Sequence, residues 1–383
     1  MELPTTSHDR AAALAAVADL WRRRLAAGWT PPPGSAFPWA QVRLSLDALL
    51  PGMTSPPPPL GSEGEPGGEV ALIVAGNTPL MAWPPLCAAL LAGARRVRVK
   101  MSRDETLWPR LFVEALAEVA PAVASRVELL DFPGEDRRTA ELCRASDAVV
   151  AYGSDETITA LRAATPAGTP FFGFGHAISV GLAGKGDQDG TASGFARDVL
   201  TFDQQGCLSP QVIFTPSAAD AEALGEALPP ALERTTVSLE VPPVTDPGTA
   251  AAIRRARDMA LFAGFKVVGD PSLRWTVAHC QMPVDVPEPV GHGFVYVIPL
   301  CAGGGVEEVV SRFGWARGRV SCVGVAGAIP DRLRAALMRE GVSRICGPGE
   351  MQTPPLDWPN GGVDLFSDLW RVIGDGGTTP GSR

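Results

Sequence analysis

The sequence predicts an α/β protein: a parallel, doubly wound sheet followed by a second α/β unit. Two observations carry this. Between residues 69 and 154 short apolar runs alternate with helical segments, and beyond Cys207 the alternation resumes in a different set of segments. The size agrees, since 383 residues, 45% hydrophobic and 20% charged, can bury more than one core.

The elements follow in order. Ser7 can cap a helix that runs to about Leu25 and ends near Gly28, with Arg22, Arg23 and Arg24 at the favourable C-terminal end. A short helix is expected over Trp39 to Leu50, and the stretch from Pro56 to Gly68 reads as a linker. "EVALIVAG" is then a strand, Pro84 to Leu91 a helix, "RVRVKMS" a strand, Leu107 to Val119 a helix, "RVELLDF" a strand, Asp136 to Ala145 a helix, and "DAVVAYGS" a strand. After Cys207, helices are expected at Ala218 to Ala227 and Ala250 to Ala263, then "GFVYVIPL" as a strand and a helix near Val306 to Phe313. "RVSCVGVAG", a helix at Pro330 to Arg339 and "VSRICGP" complete the second unit, before a frayed tail.

Composition narrows the function. The net charge is -9 and the basic residues are scattered, so no nucleic-acid footprint is expected. Seven cysteines contain no CxxC pair, which suggests neither a disulfide framework nor a zinc site; reduced thiols in the cytoplasm are expected. The N-terminus has no secretory pattern. Val70 to Ala94 carries no charge, yet Asn77, Pro79, Pro84 and Pro85 favour a strand, a turn and a buried helix start over a membrane span.

Candidate site residues lie at strand exits and around one cysteine. Asn77 leaves the first strand, where its amide could donate to an oxyanion or bond its own backbone as a turn residue. Lys100, Ser102 and Arg103 leave the second strand; they suit a phosphate or ribose, or form an ordinary solvated face. Gly153 permits close backbone approach, and Ser154 can cap the next helix, whose N–H groups favour a pyrophosphate. No GxGxxG follows any strand. Cys207 sits in "FDQQGCLSPQ", a polar, Gly-punctuated context unlike that of Cys87, Cys301 and Cys322, which fit core positions. The histidines are too few and too scattered for a metal cage.

Together, "GNTPL", "VKMSRDE", "AVVAYGSDETI", "FGHAISV", "ARDVLTFDQQGCLSPQ", "CVGVAG" and "GVSRICGPGEMQTPPLDWP" resemble the acyl-CoA reductase family typified by the fatty-acid reductase of bacterial bioluminescence, a branch of the aldehyde dehydrogenase superfamily. The resemblance runs from about residue 70 to 370. It implies an aldehyde-dehydrogenase-like fold of two α/β lobes with parallel sheets, one binding the dinucleotide and one carrying the cysteine. The expected division is a helical segment and linker over 1–68, a dinucleotide-binding domain over 69–204, a catalytic domain over 205–350, and a 351–383 segment returning to the first lobe.

It further implies that Cys207 accepts the acyl group, that Asn77 and the Cys207 N–H bind the oxyanion, and that Lys100, Ser102, Gly153 and Ser154 hold the dinucleotide. Where the superfamily often has a ribose-binding glutamate, this chain has Arg103, so NADPH is expected over NADH. Where hydrolytic members carry a glutamate base, it has Gly175 and His176, so an acyl-enzyme would survive to be reduced, and His176 is a candidate for proton transfer. The substrate expected is an acyl-CoA or acyl-protein thioester; an acyl-protein synthetase partner and an oligomer are compatible with the resemblance. Trp358-Pro359-Asn360-Gly361 departs from the family's Trp-Pro-His-Asp run. Three rival readings stand: an acyl-phosphate reductase, a cysteine acyltransferase without redox chemistry, and a non-catalytic paralogue.

Overall fold

Helix α1 (Ser7–Ala26) is capped one residue ahead of the expected Ser7: the Thr6 hydroxyl accepts from Asp9 N–H while the Asp9 carboxylate accepts from Thr6 N–H, a reciprocal box that Ser7 cannot form from inside the helix. The structure, a computed structural model, describes residues 6–56, 67–184, 187–301, 306–312, 316 and 318–374. Most of the expected linker and all of the expected frayed tail lie outside the described residues. By its contacts the chain divides into one unit of residues 1–176 and 354–383 and a second of 177–353.

In the first unit, α1 and α2 (Trp39–Thr54) bring a tryptophan cluster together. Trp39 stacks on Trp108 at 6.1 Å, and Trp21, fully buried, meets Trp29 edge-on at 5.0 Å. The sheet follows in βαβ steps: β1 (Gly67–Ile73), α3 (Trp83–Leu91), β2 (Ala94–Lys100), α4 (Leu107–Val119), α5 (Pro121–Ala124), β3 (Val127–Leu130), α6 (Arg137–Arg144), β4 (Ala148–Tyr152), α7 (Asp155–Ala164) and β5 (Phe171–Phe174). The strand order is β3-β2-β1-β4-β5, all parallel. The chain therefore proceeds one way from β1 and returns on its other side at β4, so a topological switch point lies between these two strands. β4 is buried along its whole length, as a central parallel strand covered on both faces should be.

The second unit begins earlier than the expected boundary at 204/205. β6 (Ile178–Leu182) is flanked by β7 (Pro210–Thr215) and β11 (Val320–Val325), so its hydrogen bonds tie it, and α8 (Gln188–Leu200) after it, to the later segment. After α9 (Ala218–Ser238) and α10 (Pro247–Phe262) come β8 (Lys266–Gly269), β9 (Thr276–His279), β10 (Phe294–Pro299), α11 (Val306–Ser311), α12 (Asp331–Arg339) and β12 (Arg344–Cys346). The order is β12-β11-β6-β7-β10-β9-β8, parallel except for the edge pair β8 and β9. α9 continues past the expected end at Ala227, through Pro229 and Pro230, because its buried face of Leu224, Leu228, Ala231 and Leu232 persists beyond them. No described helix is long and apolar enough to cross a membrane.

Candidate active site

In the first unit every sheet strand is parallel, so all carboxyl ends line one edge, and seven of the eight sequence-derived candidates follow from it. Asn77 is half-buried just past β1. Lys100 ends β2 and is buried; burial draws its ammonium below the usual lysine value, with Glu135 and Asp131 opposing. Ser102 accepts from Asp104 N–H at 3.3 Å, and its Oγ lies 2.6 Å from where a Cβ on Gly76 would stand, so the β1 and β2 exits approach closely. Arg103 is 74% exposed and reaches Glu135 at 3.6 Å, a loose surface pair.

At the β4 exit a Cβ on Gly153 would meet Thr157 Cγ2 at 2.9 Å, so the turn into α7 leaves little room for a side chain. Ser154 caps α7, accepting from Thr157 N–H at 3.2 Å. His176 is exposed beyond β5, its main-chain N–H donating to Asp155 at 2.9 Å. A Cβ at Gly175 would fall 2.5 Å from the Asp155 carboxylate, so that position accommodates no larger side chain without a shift. These groups fit a dinucleotide: a switch point between β1 and β4, a helix N-terminus with a close backbone approach after β4, and a buried lysine at the end of β2, the neighbour of β1 on its other side.

The second unit places Cys207 at the entry to β7, inside a turn closed by Ser209 N–H donating to Gly206 C=O at 3.0 Å. The Ser179 hydroxyl donates to the Cys207 carbonyl at 2.7 Å and accepts from Cys322 N–H at 3.1 Å, pinning the Cys207 main chain to β6 and β11. Burial pushes the Cys207 thiol up to about 11, against a hydrogen bond with Ser321 that pulls the other way. A thiol raised in this way can attack an electrophile only once its proton is removed.

Just ahead of Cys207, Phe202, Asp203 and Gln204 are left-handed, with φ of 57°, 53° and 57°. For residues with a Cβ this costs about 1–2 kcal/mol each. Buried Gln204 offsets part of that by donating to Pro210 C=O at 2.8 Å and Phe294 C=O at 3.0 Å. Behind the turn, Gln352 Nε2 donates to Ser209 Oγ at 2.6 Å and to Asp198 C=O at 3.1 Å. The Asp198 carboxylate in turn accepts from Gly349 N–H at 2.6 Å and Met351 N–H at 3.0 Å. Asp198 is fully buried, and burial pushes its carboxyl up to about 8 in spite of these donors. Sequence reasoning missed Ser179, Gln204, Asp198, Ser321 and Gln352. Only Gln204, in the polar strip before Cys207, carried a local signal.

Among known proteins, a family model described as acyl-CoA reductase (LuxC) matches residues 61–372. The chain is 25% identical over 239 residues to the long-chain acyl-protein thioester reductase of Vibrio harveyi, covering 61% of this chain and 49% of that one. To the reductase of the same name from Photorhabdus luminescens it is 26% identical over 233 residues, covering 59% and 48%. The match thus spans about half the length of these relatives. Among solved structures, an oxidoreductase from Marinobacter aquaeolei aligns with a TM-score of 0.74 at 16% identity, over 97% of this chain and 86% of that one. An aldehyde dehydrogenase C mutant from Pseudomonas syringae, complexed with NAD+ and octanal, aligns with a TM-score of 0.65 at 18% identity, over 89% and 77%. The fold is aldehyde-dehydrogenase-like.

Proposed function

The chain belongs to the acyl-CoA reductase (LuxC) family, and from that footing we propose that it reduces an acyl thioester to the aldehyde with NADPH, through an acyl-enzyme on Cys207. The observation that carries the chemistry is the Cys207 turn, whose main chain is tied on both sides by hydrogen bonds from Ser179 and Gln204. Loss of the Cys207 proton frees Sγ to attack the acyl carbon, the carbon–sulfur bond to the donor breaks, and the donor thiol leaves carrying a proton. Bound NADPH supplies the hydride that reduces the acyl group. The carbon–Sγ bond then breaks, releasing aldehyde and returning the Cys207 thiolate. Asn77 and the Cys207 N–H are the proposed oxyanion donors, and His176 the proposed proton carrier.

The buried Lys100 ammonium, Ser102, and the Gly153-Ser154 turn are proposed to hold the dinucleotide. Preference for NADPH rests on Arg103, whose weak pair with Glu135 leaves a guanidinium able to meet a 2′-phosphate. The relatives' name supports an acyl-protein thioester as substrate, and the octanal bound by the Pseudomonas syringae enzyme supports an aliphatic acyl chain. A synthetase supplying that thioester belongs to the same proposal. So does a cytoplasmic setting, which seven free thiols favour.

The test is NADPH oxidation with acyl-CoAs from acetyl to stearoyl, with NADH as control. NADPH consumption with aldehyde formation, lost in Cys207→Ala, supports the reading. Acylation of Cys207 without oxidation of either cofactor points instead to an acyltransferase; turnover of an acyl phosphate alone moves the substrate class.

A further inference from the structure

Gln204 is held by its own amide, but Asp203, at the centre of the left-handed turn, is held from a distant segment. Gly291, His292 and Gly293 form a second left-handed run, with φ of 73°, 54° and 69°. His292 N–H donates to Asp203 C=O at 3.2 Å, and His292 Nδ1 meets Asp203 Oδ2 at 2.6 Å. Two turns separated by 89 residues thus face each other through one main-chain bond and one side-chain bond.

The flanking glycines adopt this conformation without penalty, and a Cβ on Gly293 would fall 2.4 Å from Arg274 C=O, so the loop is shaped to present its central residue. That residue is a histidine, one of the few side chains found at positive φ more often than most, where glycine would fit freely. Gln205 Nε2 also donates to the Asp203 carboxylate, at 3.1 Å.

We infer that Asp203 and His292 are positioning residues, an acid–imidazole pair that fixes the left-handed turn so that Cys207 presents its thiol in a reactive orientation. The inference rests on Cys207 being the acyl acceptor. The ionisable groups acting on the imidazole are Asp203, in contact, and Asp246, the N-cap of α10; both favour the imidazolium, and burial opposes them. With its folded value raised, His292 contributes its full pairing below the ordinary imidazole value of about 6.5, and the contribution is lost as pH rises through the raised value. Cys207 titrates far above this range, so the two events separate.

Asparagine tolerates positive φ, so Asp203→Asn and His292→Asn each remove one half of the ion pair without straining the main chain. The experiment is iodoacetamide alkylation of Cys207, resolved by peptide mass spectrometry between about pH 6 and pH 9, in the wild type, both single variants and the double. The wild type is expected to show a near-neutral inflection ahead of the alkaline rise of the thiol. Each single variant loses that inflection and reacts about fivefold more slowly at neutral pH, and the double variant is no slower than either, as for a pair acting as one unit. Profiles that superimpose on the wild type, or losses that multiply to about 25-fold in the double, overturn the inference. Should His292→Asn fail to fold, Asp203→Asn alone carries the pH test. Thioester turnover is measured in parallel: a wild type that turns over no thioester sinks the reductase reading, whereas the alkylation profile judges the pair independently.

Discussion

The carboxyl edge of the first unit and the Cys207 turn of the second both place polar groups at strand ends, by opposite means. The first relies on topology: parallel strands align their exits, a glycine lets the backbone approach, a serine caps a helix, and none of it requires unusual backbone. The second holds three side-chain-bearing residues in left-handed geometry and stabilises them with Gln204, Ser179, Gln352 and Asp198. A surface that recognises a ligand can be assembled from standard parts. The turn around Cys207 is instead built against local preference and depends on long-range bonds.

If that contrast holds, the largest effect is at the sulfur: Cys207→Ala should lower thioester reduction by more than about 10³-fold while leaving dinucleotide affinity within about twofold, measured by turnover and by titration of NADPH fluorescence. Next is the brace. Asp198→Ala leaves the Gly349 and Met351 N–H groups without their acceptor and should cost about 2–5 kcal/mol in urea denaturation. Asp198 also gives a pH signature. Its folded value of about 8 lies above the ordinary carboxylate value of 3.8, so its contribution is complete at acid pH and is lost as pH rises toward 8; Asp198→Asn should flatten that decline.

Smaller effects are expected on the recognition edge. Lys100→Met should weaken dinucleotide binding about tenfold without altering alkylation of Cys207, and an altered alkylation rate would blur the proposed division of labour. Ser154→Ala should cost about 1 kcal/mol of thermal stability through the lost cap of α7, read by calorimetry.

The same contrast governs how much could be read from the sequence. The strands of the first sheet and their exits were legible because "EVALIVAG", "RVRVKMS" and "DAVVAYGS" are apolar runs bounded by turn residues, whereas the strand order that creates the switch point comes from pairing along the sheet. β5, β6, β7, β8 and β9 were not recognised: β5, β6, β8 and β9 are short or punctuated by glycine, β7 opens on a proline directly after the Cys207 turn, and pairing with neighbours elsewhere in the chain defines them. Cys207 stood out by its polar surroundings, whereas the left-handed turn did not, since Phe202, Asp203 and Gln204 carry no glycine signal. His292 was only one of several scattered histidines until the fold brought it to Asp203.

The tryptophan cluster has an optical consequence. Trp21, Trp29, Trp39, Trp83, Trp108, Trp358 and Trp370, seven of nine, belong to the first unit, while Cys207, Cys280, Cys301, Cys322 and Cys346, five of seven, belong to the second. Intrinsic emission therefore reports chiefly on one half of the molecule and thiol labelling on the other. One sample melted in the presence of a thiol reagent carries both readouts, and a lag between changing emission and rising thiol labelling times the loss of one unit against the other.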